Sequence, residues 1–270
     1  MNLAFLGILF TVLLFLSILG MIETGRRIGR KRFESEGESA GKGFTAVEGA
    51  IFGLLGLVLA FSFSGALTRF DARRQLVIKE ANDIGTAWMR IDLLPPDVQA
   101  PMRELFRKYL DARLEAYSNA SHREMVKSAL ERAAGIQKEI WALAVESRRP
   151  GGGAEAAGGG SLVSGMQAQM LLLPALNAMF DTGTSQQETV RFHPPTIIFI
   201  MLGSLILACA LFAGYDMGGR RNVNLLHSVG FALVLSVTMY VIIDVEYPRL
   251  GFIRMSDSDD VLRNIRKGMD

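Results

Sequence analysis

Residues 49–93 read GAIFGLLGLVLAFSFSGALTRFDARRQLVIKEANDIGTAWMRIDL. The first part, Gly49 to Leu67, carries no charge and is long enough to cross a bilayer, since about 20 helical residues at about 1.5 Å each span a hydrocarbon core of about 30 Å. Backbone amides find no water there, so the run must be helical. From Arg69 the chain is strongly charged, yet Phe70, Val77, Ala81, Ile84, Trp88 and Ile91 recur at steps of three, four and seven. That spacing marks one face of a helix. No breaker separates the two parts. The pattern predicts a single helix that leaves the membrane and continues to Pro95-Pro96, where proline removes a donor and restricts its predecessor.

Three further runs have the same character. Leu3 to Ile22 and Pro194 to Tyr215 are uncharged, and Val223 to Ile243 carries only His227. Half of the residues are hydrophobic while 21% are charged, and those charges avoid the four runs. The chain therefore reads as an all-α integral membrane protein: four transmembrane helices, with a long helical extramembrane domain between the second and third. The first run lacks a basic segment before it and has Arg26, Arg27, Arg30, Lys31 and Arg32 after it. This is the reverse of a secretory signal, so it reads as a retained helix. The net charge of +2 gives no argument for nucleic acid, and a single cysteine, Cys209, excludes a disulfide framework.

The organisation follows. Residues 1–67 hold the first transmembrane pair, joined by a basic polar loop at 23–45. Residues 68–193 form the extramembrane domain, 194–247 the second pair and 248–270 a C-terminal tail. Inside 68–193 a second helix is expected from about Asp97 to Tyr117, with Met102, Leu105, Phe106, Tyr109 and Leu110 inward. Ser121-His122-Arg123-Glu124 has the form of a capping box opening a third helix to about Arg148, with Met125, Ala129, Ala133, Ile136, Ile140 and Ala144 as its stripe. Residues 150–160 are a glycine-rich linker. Another helix is expected from about Leu162 to Phe180, bent or broken at Pro174.

The second run carries most of the functional information. Gly49, Gly53, Gly56, Ala60 and Ser64 fall on one side of the helix. Small residues allow close helix approach in membranes, so this stripe reads either as packing against a neighbour or as part of a helix placed at a pore among identical copies. Glu48 at its mouth suits a polar interface or an ion path. Arg69, Asp71, Arg73 and Arg74 follow, then Glu80 and Asp83. They read as a charge network, an ion-attracting vestibule or a solvated face. Asp244 and Glu246 end the fourth run beside the interfacial Tyr247 and are the expected partners of those arginines. The three histidines, His122, His193 and His227, lie far apart in sequence, none with a spaced partner. No nucleophile–base pair, metal set or cofactor motif points to an enzyme.

LAFSFSGALTRFDARRQLVIKEANDIGTAWMRIDLLP (59–95), FHPPTIIFIMLGSLILACALFAGY (192–215) and YVIIDVEYPRLGFIR (240–254) resemble the blocks of the bacterial bestrophin-like family, formerly a domain of unknown function. That family is distantly similar to bestrophin anion channels. The resemblance implies a homo-oligomer, pentameric by analogy, in the bacterial inner membrane, surrounded by lipid and passing inorganic anions such as chloride through a hydrophobic neck. Aligning Arg69-Phe70 with the bestrophin Arg-aromatic step puts Gly53, Leu57 and Phe61 at the neck. Gly53 departs from the pattern and would widen it. The acidic calcium clasp of animal bestrophins has no counterpart here. Sidedness is left open. The cations after the first run favour a cytoplasmic 23–45 loop, whereas the resemblance favours a cytosolic 68–193 segment. The competing reading is a non-conducting membrane interaction or envelope-sensing protein.

Overall fold

A computed structural model describes residues 3–36, 44–147, 160–219, 225–248, 251–253 and 255–270. Among these the chain is helical with no strand, and four helices are long and apolar enough to cross a membrane. The glycine-rich linker, apart from Gly160, lies outside the described residues, as do Arg249 and Arg254. The helices are α1 (Leu3–Glu36), α2 (Phe44–Arg90), α3 (Pro96–Ser118), α4 (Arg123–Glu146), α5 (Gly160–Arg191), α6 (Thr196–Met217), α7 (Leu225–Glu246) and α8 (Ser256–Lys267). They form two compact units, Met1–Phe70 with His193–Ile253, and Asp71–Phe192 with Arg254–Asp270.

The helix anticipated across residue 68 is present: α2 runs unbroken from Phe44 to Arg90 and closes in a 3-10 turn at Ile91–Leu93 before the prolines. Several boundaries differ from the sequence reading. Residues 23–36 are not loop; α1 continues through them. Glu23 with Arg26 and Arg27, and Arg30 with Glu34, pair at helical spacing and support those turns. The capping box does not form. Helix α4 starts one residue later than that motif requires, with His122 at its cap, and Ser121 Oγ instead meets His122 Nδ1 at 3.1 Å. Helix α5 passes through Pro174 and extends to Arg191. The missing proline bond costs about 3 kcal/mol. Leu172, Leu176 and Met179, all fully buried around it, each return about 1.5–3 kcal/mol. Residues 256–267, read as part of a tail, form α8.

The membrane unit packs α1 against α6 and α7. Its core holds Leu14, Ile18, Ile22, Leu55, Ala66, Leu202, Ile206, Cys209, Leu235, Met239 and Ile242. The α1–α6 contact is backbone on backbone. A Cβ at Gly25 or Gly29 would overlap the carbonyl oxygens of Leu211 or Tyr215, and one at Gly214 would overlap that of Ile22. Glycine is the one residue that permits this approach.

The helical unit is built by the later part of α2, α3, α4, α5 and α8. Val77, Ala81, Ile84, Ile91, Met102, Phe106, Tyr109, Leu110, Ile140, Leu172, Leu176 and Leu262 form its core. Most of the predicted stripe positions are there. Met125 is not; it is exposed near the start of α4. Within this core lies an ion pair. Arg113 donates to Glu80 through Nε at 2.6 Å and Nη2 at 3.0 Å, with both side chains essentially inaccessible. Tyr117 also donates to Glu80, and Gln186 accepts from Arg113 at 3.2 Å.

Candidate functional site

Helix α2 has one buried face along its membrane part. Leu55 and Ala66 are buried, Phe52 meets Phe231 edge-on at 5.9 Å, and the Cys209 thiol reaches the Ile51 carbonyl at 4.0 Å. At about 100° per residue, Gly53, Leu57 and Phe61 project on the opposite side. All three are exposed, Leu57 at 52% and Phe61 at 69%. The small-residue stripe is uncovered too: Gly49, Gly56, Ala60 and Ser64 are all exposed, and a methyl added at Gly49, Gly53 or Gly56 would meet nothing within 4 Å. The close glycine packing made within the chain belongs instead to α1 and α6. Its trace in the sequence is the paired spacings Gly25-xxx-Gly29 and Gly214-xxx-Gly218, which do not by themselves say what they face.

The predicted charge residues do not form one cluster. Glu246, fully buried at the end of α7, accepts from Arg69 Nε at 2.9 Å and Nη2 at 2.7 Å. His193 Nδ1 lies 3.2 Å from the same carboxylate, and its ring stacks on Tyr247 at 4.4 Å. One carboxylate thus ties the end of the membrane part of α2 to the entry of α6. A half-buried carboxylate, Glu48, sits at the other end of that part.

Asp244, the other expected arginine partner, is placed differently. It accepts from the Tyr240 hydroxyl at 3.2 Å and from the backbone N–H groups of Phe252 at 3.0 Å and Ile253 at 2.7 Å. These donors come from the chain just past α7, so Asp244 closes that turn. Gly251 allows it, because any Cβ there would collide with the Asp244 carboxylate.

In the helical unit, Arg73 is buried and donates to the carbonyl of Phe192 at 2.9 Å and of Thr189 at 3.4 Å, satisfying the end of α5. Asp71 and Arg74 are exposed. Glu80 is taken by Arg113, and Asp83 accepts from Lys79 and from the Thr182 hydroxyl. The Tyr109 phenol, beside this network, is pushed up to about 12, chiefly by burial. No group of His, Cys, Asp and Glu able to hold a metal occurs among the described residues.

The membrane part of α2 is thus an apolar helix with an exposed small-and-large face, pinned at one end by a buried carboxylate and an arginine. No curated protein and no solved structure matches the chain. The bestrophin-like domain matches residues 9–259, nearly the whole sequence and all four membrane-length helices, and the chain belongs to the bestrophin-like family.

Proposed function

We propose that this membrane protein is a homo-oligomeric ion channel of the cell membrane, conducting anions such as chloride through a neck formed by α2. Copies arranged about an axis, five by analogy, would present Gly53, Leu57 and Phe61 to the pore, with Gly49, Gly56, Ala60 and Ser64 against the neighbouring α2. The observation that carries this reading is the uncovered face of α2. A membrane-length helix leaves Gly49, Gly53 and Gly56 with no described atom within 4 Å of an added Cβ, and leaves Phe61 69% exposed. Lipid would fill such a face poorly at the glycines, whereas a second α2 fits there. Electropositive aromatic edges and a dewetting constriction are compatible with anion passage and with gating. Planar-bilayer recording of the purified protein in a chloride gradient tests it. Currents that reverse near the chloride potential support the channel; a silent, intact oligomer removes it.

One observation favours the second reading, a non-conducting interaction protein. The helical unit exposes Trp141 and Val145 on α4 and Met166 and Met170 on α5. Gln169 bonds the carbonyls of Ala144 and Val145, which brings those turns together. Methionine-rich exposed surface is common where proteins bind partners. Under that reading W141A/M170A would lose a partner from the purified complex while the silent bilayer stays silent.

A further inference from the structure

The basic residues after the first membrane run are absorbed neither by the pore nor by the buried ion pairs. We infer that the outer face of α1 at Arg27 and Lys31 binds the phosphate headgroups of anionic phospholipids. Helical register carries the argument. Leu13, Leu16, Gly20, Arg27 and Lys31 lie at steps of three, four, seven and four, one face of α1. Leu13 and Leu16 on it are more than half exposed, so this is the face turned to lipid. It points away from Gly25 and Gly29, which pack on α6. The lipid-facing stripe therefore runs straight into two cations.

Depth agrees. The middle of the Leu3–Ile22 run lies near residue 12, so Arg27 sits about 22 Å from the bilayer centre, beyond a hydrocarbon half-thickness of about 15 Å and at headgroup level. Lys31 is one turn further out. Side chains on a helix lean toward its N-terminus, here back toward the membrane, and long basic chains follow their charge to the phosphates. Glu23 takes the Nε of Arg27 at 2.9 Å, which leaves the terminal fork of that guanidinium for another acceptor. From Glu23 to Arg32 five cations stand against one acid.

The test uses full-length protein reconstituted in phosphatidylcholine vesicles with spin-labelled phosphatidylglycerol or spin-labelled phosphatidylcholine, reading the immobilised fraction of each. The wild type should prefer phosphatidylglycerol, and R27Q/K31Q should lose that preference by about fivefold per cation removed. E23Q should raise it. K127Q/K138Q, the same charge change on α4, should leave it intact. A wild type that holds both lipids equally overturns the inference. So does a R27Q/K31Q protein with unchanged thermal transition and unchanged preference. Excess inorganic phosphate should compete no better than chloride at equal ionic strength; selective displacement by phosphate would mean a free-anion site instead. None of these readouts depends on conduction.

Discussion

Among the described residues Arg113 is the largest side chain that is buried completely, and its charge is met by Glu80. Removing one member of such a pair strands the other in a medium that cannot solvate it, at about 3–5 kcal/mol. Arg113→Ala should therefore lower the melting temperature of the detergent-solubilised protein far more than Arg103→Ala, whose partner Asp92 is largely exposed and whose pair is worth about 0–1 kcal/mol. Equal shifts would mean that the buried pair is solvated after all. Tyr109 gives a second test, in pH. Its phenol is raised to about 12 by burial, with Arg113 pulling it down and Glu80 pushing it up. The unfolded chain releases that proton near the ordinary value of about 10 while the native chain keeps it. The stability tied to it is complete below pH about 10 and is lost as pH rises toward about 12. The stability gap between wild type and Tyr109→Phe should shrink over that window; a gap flat in pH would contradict the assignment. Sequence alone grouped Glu80 with Arg69, Asp71, Arg73 and Arg74, its neighbours along one helix. Glu80 and Arg113 stand 33 positions apart on different helices, and only packing makes them neighbours.

Among the helices, glycine positions separate contacts made within the chain from faces left open. Gly214 has the Ile22 carbonyl where a Cβ would go, whereas Gly203, on the same helix, has nothing within 4 Å. Gly214→Ala should force α1 and α6 apart at about 1–3 kcal/mol, while Gly203→Ala should be neutral or gain about 0.5–1 kcal/mol from reduced backbone freedom. Thermal unfolding of the two variants decides, and a tolerated Gly214→Ala would show that the helices do not meet there. Periodicity made the elements legible. The uncharged runs marked the membrane helices, and the apolar stripe from Val77 to Ile91 marked the continuation of α2. Ends were less legible. Charge after Ile22 looked like loop, although Glu23–Arg27 and Arg30–Glu34 are helix-supporting pairs. Pro174 looked like a bend or a break, and the helix passes through it with its neighbours in the core. The candidate face of α2 was visible as spacing. What was not visible is which glycines pack inside the chain, because that depends on the facing backbone and not on the motif.

For the whole molecule, the decisive question is what covers α2. Phe61 and Leu57 are exposed on a helix long enough to cross the bilayer. If copies gather with this face toward a common axis, Phe61 is the widest side chain there and sets the constriction. Truncating it lowers the dewetting barrier, so Phe61→Ala should raise chloride flux from reconstituted vesicles, and Leu57→Ala should do so to a smaller extent. Phe5, also exposed but on α1, should tolerate alanine without change in flux. Gly56→Leu probes the flank of the same face. Among the described residues nothing lies within 4 Å of a Cβ built at that position, so the monomer should fold as before. Between two copies of α2, however, the added leucine would hold the helices apart, and the oligomer seen by native mass spectrometry or cross-linking should dissociate. The two variants discriminate as a pair. An oligomer that survives Gly56→Leu, together with flux indifferent to Phe61→Ala and Leu57→Ala, would put lipid rather than a second α2 against this face. In that case the exposed surface around Trp141 and Met170 would become the better guide to what the protein does.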